Sequence, residues 1–141
     1  MANYGEIPYG DITEFKPNEI PDFDILLAGF PCQPFSISGK QKGFEDTRGT
    51  LFFNICQIID EKNPSVIILE NVKNLIYHAN SKTFKVILKS LSELGYKVSH
   101  KILNTNDFGL PQNRDRIFIV ASKNDYFDFK IILKEISRVI R

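Results

Sequence analysis

Three short stretches of this 141-residue chain carry the side chains that could do chemistry. In "GFPCQPFSISGKQKGFEDTRGTLFF", residues 29–53, Cys32 stands between Pro31 and Pro34 at the end of an apolar run. The thiolate, not the thiol, is the nucleophile in cysteine chemistry, so a catalytic cysteine must be held near a group that takes or shares its proton. Each proline fixes its own φ and restrains the residue before it, giving a loop stiff enough to aim a side chain. A cysteine just past a strand is more often a small buried hydrophobe, and Cys32 alone does not decide between these roles. The second cysteine, Cys56, sits on the apolar side of a helical pattern and reads as structural.

The other two stretches are polar ends of apolar runs. Glu70 closes "SVIILE" (residues 65–70). An isolated glutamate there ordinarily points to water; beside a thiol it becomes a candidate proton donor. In "QNRDRIFIV", Arg114 and Arg116 lie two apart at the start of a strand pattern, so both project from one face while Asp115 turns away. They form either a solvated strand end or a clamp for an anion or a base. Lys40, Lys42 and Arg48, in the glycine-rich "SGKQKGFEDTRG", belong to a solvated loop or to one that follows a phosphate backbone.

The elements that must position these residues are legible as periods. "FDILLAG" (residues 23–29) and "SVIILE" are short, nearly continuous apolar runs, as expected of strands buried on both faces of a parallel sheet. Between them Leu51, Phe52, Ile55, Ile58 and Ile59 recur at helical spacing, which predicts a βαβ unit. Ligands of open α/β sheets collect beyond the carboxyl ends of the strands. Cys32, three residues past Gly29, and Glu70 therefore share an edge. "SKTFKVILKSLSELG" predicts a helix capped by Ser81, with Phe84, Ile87, Leu88, Leu91 and Leu94 on one face and Gly95 at its stop. "YKVSHKIL" (residues 96–103) and "RIFIVASK" (residues 116–123) predict an antiparallel pair joined through the turn-rich "NTNDFGLPQN". Residues 131–140 have a helical period, and no repeat or linker marks a second domain.

Composition narrows the classes further. With 43% hydrophobic residues the chain can build a core, and 18 Lys and Arg against 17 Asp and Glu argue neither for nor against nucleic acid. No apolar run approaches the ~20 residues needed to span a bilayer. The two cysteines and the two histidines, His78 and His100, lack metal or redox spacings, and Ser36 and Ser38 lie in no G-x-S-x-G elbow. A soluble, reducing, cytoplasmic setting is the expectation.

"GFPCQPFS" (residues 29–36), "ENV" (residues 70–72) and "QNRDR" (residues 112–116), in this order, together with the upstream "GDIT" (residues 10–13), resemble signature motifs of the C5-cytosine DNA methyltransferases. The likeness runs from about residue 3 to residue 124. It implies an α/β fold, a partial Rossmann-like S-adenosylmethionine-dependent methyltransferase sheet, mostly parallel with an antiparallel hairpin. It further implies that Cys32 attacks C6 of a cytosine flipped out of double-stranded DNA, while Glu70 holds the base through N3 and its amino group and Arg116 and Arg114 support it. Gln33, Ser36, Ser38, Arg48 and Val72 would face the DNA. For S-adenosylmethionine the resemblance places Asp11 near the adenine amino group, Ile12 against the ring, and Pro31 and Leu51 in the pocket wall.

On the same resemblance, residues 1–125 correspond to the central part of the catalytic domain and residues 126–141 to a tail. The first strands, half the cofactor site and the target-recognition domain would then lie outside the chain. The expectations that follow are an isolated chain without methylation activity, a complementing chain for the missing segments, and an open sheet edge that invites self-association. An RNA-modifying branch keeps the same Cys and Glu motifs, so a tRNA cytosine methyltransferase is an alternative. A non-catalytic or split-enzyme DNA-binding fragment is another.

Overall fold

The computed structural model describes residues 10–31, 50–132 and 134. Four strands, β1 (Ile25–Gly29), β2 (Val66–Val72), β3 (Lys97–Asn104) and β4 (Asp115–Ser122), form one sheet in the order β1-β2-β4-β3, with helices α1 (Leu51–Lys62) and α2 (Lys82–Glu93). β1 and β2 run parallel, with Gly29 opposite Glu70, so residues 25–72 form the expected βαβ unit. β4 is antiparallel to both β2 and β3. The expected antiparallel pair is present, and its second strand lies in the middle of the sheet.

The local chemistry of the two helices differs. At α1 the Thr50 hydroxyl accepts from the Phe53 amide at 3.3 Å, satisfying one of the orphan donors of the first turn. The helix ends at Asn63 in the left-handed region (φ 51°), and Lys62 in the last turn complements the helix dipole while pairing with Asp22 at 3.1 Å. At α2 the expected cap fails. Ser81 occupies the N-cap position, but with φ 64° its hydroxyl bonds no helix amide, because capping requires extended backbone at that residue. Ala79 and Asn80 are also at positive φ, so the chain enters α2 through a tight left-handed turn. Gly95 (φ 90°) ends the helix as expected, letting the Tyr96 amide reach back to the Leu91 carbonyl at 3.1 Å.

Both helices cover one face of the sheet. Phe52, Ile55 and Ile59 of α1 and Ile87 and Leu91 of α2 pack against Ile67, Leu69, Ile117 and Ile119 in a continuous core. The opposite face is covered more thinly, by Phe127 and Phe129 lying over Val66, Ile68, Leu103, Phe118 and Val120. These aromatics reach β2, β3 and β4 but not β1. The expectation that β1 is buried on both faces is therefore wrong: Ile25 is 58% and Leu27 72% exposed. β1 is an edge strand among the described residues, and only Leu26 and Ala28 face the core. The chain turns helical again at Lys130, and the rest of the period over residues 131–140 lies largely outside the described residues.

Candidate active site

Alternation along β2 separates its residues by face. Ile67, Leu69 and Asn71 point into the helix-covered core, while Ile68, Glu70 and Val72 point to the other side. In the register of β2 and β4, Glu70 is opposite Phe118 and Val72 opposite Arg116, so Glu70 and Arg116 are diagonal neighbours on one face. Glu70 Oε1 accepts from Arg116 Nε at 2.8 Å, a charge-assisted bond. The Glu70 side chain is 38% exposed, so the carboxylate stands at the boundary of the core with a guanidinium for its partner. Gly29 lies close beside it: a Cβ there would meet Glu70 Oε2 at 3.5 Å, ordinary contact distance.

Arg114 and Arg116 line the same cleft as Glu70, a space of about 550 Å³ with an apolar floor that includes Ile68, Phe118 and Phe129. Asp115 turns away as its position in the strand requires. Its carboxylate accepts from Lys73 Nζ at 2.9 Å and from Asn104 Nδ2 at 2.7 Å. Those two bonds hold the Asp115 carboxyl below its usual range, and the carboxylate in turn raises Lys73. Asn104 also closes a capping box with Asp107 at the turn Thr105–Phe108, so the segment leading to Arg114 is tied at both ends.

The described chain reaches Pro31, which is exposed, and resumes at Thr50. Cys32, Gln33, Ser36, Ser38 and Arg48 lie outside the described residues, as do Lys40 and Lys42. What is described is the platform from which that segment leaves. Phe30 is buried with its ring 5.3 Å from Phe52 of α1, and its carbonyl accepts from Asn71 Nδ2 at 2.7 Å. Leu51, half-buried, begins α1 where the segment returns. Val72 is exposed beside Arg116.

The remaining candidates cluster near the N-terminal side. Asp11 Oδ1 accepts from the amide and the hydroxyl of Thr13, both at 2.8 Å, and these bonds hold the Asp11 carboxyl below its usual range. Ile12 packs against the core and, with Gly10, Phe15 and Ile20, lines a smaller cleft of about 230 Å³. Neither Pro31 nor Leu51 lines it. Among the described residues no group of three His, Cys, Asp or Glu side chains could hold a metal, and no helix is long and apolar enough to cross a membrane.

Two features escaped sequence reasoning. Asn71 falls on the buried face of β2, a placement that strict alternation through "VIILENV" would have revealed, since a buried amide must find partners. The Lys73–Asp115–Asn104 network had no sequence signal, because its members come from three separate elements.

A mixed sheet with its polar pair at the carboxyl end of a βαβ unit belongs to the open α/β class, whose sites form at that edge. Within that class, residues 1–138 match the C-5 cytosine-specific DNA methylase family, and the chain belongs to that family. It is 64% identical over 120 residues to the type II methyltransferase M.HaeII of Haemophilus aegyptius, covering 85% of this chain and 38% of that protein. It is 55% identical over 123 residues to the type II methyltransferase M.HhaI of Haemophilus parahaemolyticus, covering 87% and 38%. Among solved structures, the S. pombe Dnmt2 methyltransferase superimposes with a TM-score of 0.64 at 28% identity, over 86% of this chain and 38% of that one. The chain thus spans 38% of the length of these relatives.

Proposed function

We propose that the chain is the central catalytic portion of a DNA (cytosine-5)-methyltransferase, acting from the cytoplasm on a cytosine flipped out of duplex DNA. The observation that carries this reading is the Glu70–Arg116 pair at 2.8 Å, set opposite Gly29, three residues before Cys32. Family membership and the type II methyltransferase names of the relatives support it.

In this reading the base leaves the stack at a cost of about a few kcal/mol, because attack at C6 comes from above the ring plane. The Cys32 thiolate forms a bond to C6 and the C5–C6 electron pair becomes available at C5. Glu70 supports that shift in its protonated form, donating its proton to N3 through one oxygen and accepting from the 4-amino group through the other, while Arg116 orients the carboxyl. S-adenosylmethionine, when bound, supplies an electrophilic methyl group for C5. Loss of the C5 proton to a base then re-forms the double bond and expels the thiolate. Arg114 lies beside Arg116 in the same cleft, suited to nearby phosphate, and Gln33, Ser36, Ser38, Arg48 and Val72 contact DNA in this reading.

The residues fit an adenine. Asp11 offers a carboxylate already oriented by Thr13 to accept from an exocyclic amino group, and Ile12 offers an apolar wall to the ring. Pro31 and Leu51 do not line that cleft and in this reading meet the cofactor outside it, so that this chain carries the adenine side of the cofactor site.

The test is a chimaera in which this chain replaces the matching segment of M.HhaI. Methyl transfer to duplex DNA, with covalent capture on 5-fluorocytosine, is expected and is lost in Cys32→Ser. A chimaera that folds and binds duplex but transfers no methyl group overturns the reading. Transfer RNA assayed in parallel separates the RNA alternative, which relatives named type II methyltransferases at 55–64% identity disfavour.

A further inference from the structure

We infer that Thr105 is the positioning residue for Arg114, holding both backbone groups of that arginine so that its guanidinium meets a DNA phosphate at the rim of the cleft; the phosphate as ligand rests on the duplex-DNA reading proposed above. Arg114 is exposed, lines the cleft and has no side-chain partner among the described residues, unlike Arg116, which pairs with Glu70. Where its guanidinium stands is therefore set by its backbone.

The ladder between β3 and β4 ends at Asn104 and Asp115, so Thr105 and Arg114 are the next opposed pair. In a hydrogen-bonded antiparallel pair each amide donates to the other residue's carbonyl. The Thr105 amide does so, reaching the Arg114 carbonyl at 3.2 Å. The return bond is different. The Thr105 carbonyl has turned into the loop, where it accepts from the Leu110 amide at 3.4 Å, and the Thr105 hydroxyl takes its place by accepting from the Arg114 amide at 3.1 Å. The hydroxyl proton goes to the Gln112 carbonyl. One short side chain, using donor and acceptor at once, closes the neck of the loop and fixes the arginine at the same point.

A merely structural threonine would hold the loop together and leave the number of phosphates contacted unchanged. The two roles separate in the affinity of the chimaera for one synthetic duplex, measured across a salt series without methyl donor. Thr105→Val keeps the shape and removes the hydroxyl, whereas Thr105→Ser keeps the hydroxyl.

Arg114→Ala is expected to lower the slope of log affinity against log salt by about 0.9, the share of one phosphate, and Thr105→Val by at least half of that. Thr105→Ser should restore the slope, and Thr105→Val added to Arg114→Ala should lower it no further. In the 141-residue chain, deuterium exchange should find the Arg114 amide protected, opened by Val and protected again by Ser.

An Arg114 amide that exchanges freely in the unsubstituted chain overturns the inference before any DNA is added. So does a Thr105→Val slope equal to the unsubstituted one, a further fall in the double variant, or an Arg114→Ala slope that does not change. If Thr105→Val does not fold, Thr105→Ala takes its place, and loss of the fold in both makes Thr105 a residue of the scaffold and overturns it too. Slopes as expected without methyl transfer would sink the catalytic reading and leave this one standing; methyl transfer with slopes indifferent to Thr105 would do the reverse.

Discussion

Glu70 and Arg116 meet diagonally across the β2–β4 ladder, Oε1 to Nε at 2.8 Å, on the face of the sheet that the helices leave uncovered. The pair sits at the end of β2, opposite Gly29, the last residue of the neighbouring parallel strand. Half-exposed ion pairs of this kind stabilise a fold little, by about 0–1 kcal/mol. Its consequence is orientation. A carboxylate held by one guanidinium nitrogen keeps its second oxygen on a defined line.

The first prediction follows from that division of labour. Glu70→Gln should lower methyl transfer by the chimaera about 100- to 10,000-fold, the range for loss of a positioned proton donor. Melting temperature should hardly move. Arg116→Lys should fall between the two, because an ammonium keeps the charge and loses the fork. Initial rates beside thermal melts check both, and a Gln variant with full activity would remove Glu70 from the mechanism.

A second prediction concerns acid and alkali at the far side of the sheet. The folded-state pKa of Asp115 lies below 3.8, so its contribution to stability is present above that value and fades as pH falls through the lowered one. Lys73 is raised above 10.5, so its contribution is present below that value and fades as pH rises through the raised one. A double-mutant cycle with Lys73→Met and Asp115→Asn should show coupling between these limits and none outside them. Coupling unchanged at pH 2 would contradict the pairing.

Alkaline stability is limited by two buried groups. Burial pushes the Tyr96 hydroxyl, which donates to the Pro64 carbonyl at 2.7 Å, from 10.0 up to about 12, and drives the Cys56 thiol higher still. Both are raised, so their contributions are complete below the unfolded values and are lost as pH climbs toward the folded ones. Melting temperature should therefore drop between pH 9 and 11. Cys56→Ala should flatten that decline while lowering stability at neutral pH, which a pH series of melts would show.

The core offers a test of the fold itself. Leu69 and Ile117 are fully buried between sheet and helices. Leu69→Ala should cost about 2–5 kcal/mol in denaturant unfolding, through lost transfer energy and the cavity left behind. A loss under about 1 kcal/mol would mean that α1 and α2 do not pack on this face.

The open edge is the last. Ile25 and Leu27 leave apolar surface on an uncharged strand that has no outer neighbour among the described residues, a template for further pairing. Leu27→Lys should reduce self-association in light scattering with a stability change within about 0.5 kcal/mol. Equal scattering by both proteins would show that the edge is not the sticky surface.

The amino-acid order by itself determined whatever depends on neighbours a few residues apart. The period of two in "RDRIF" put Arg114 and Arg116 on one side and Asp115 on the other, and the 3.6-residue period set α1 and α2, because side-chain direction is a property of local backbone. Tertiary structure decided what depends on residues brought from afar. Asn71 and Phe30 are 41 positions apart, and nothing near either one announces their bond. β4 lies between β2 and β3, and that placement alone brings Arg116 to Glu70. The apolar run of β1 reads the same whether a neighbour covers it or not, so its exposed face emerged only when the sheet was assembled. Ser81 has the composition of a cap and lost that role to a left-handed turn. Local periods report which way a side chain points; what it meets there depends on the packing of the whole chain.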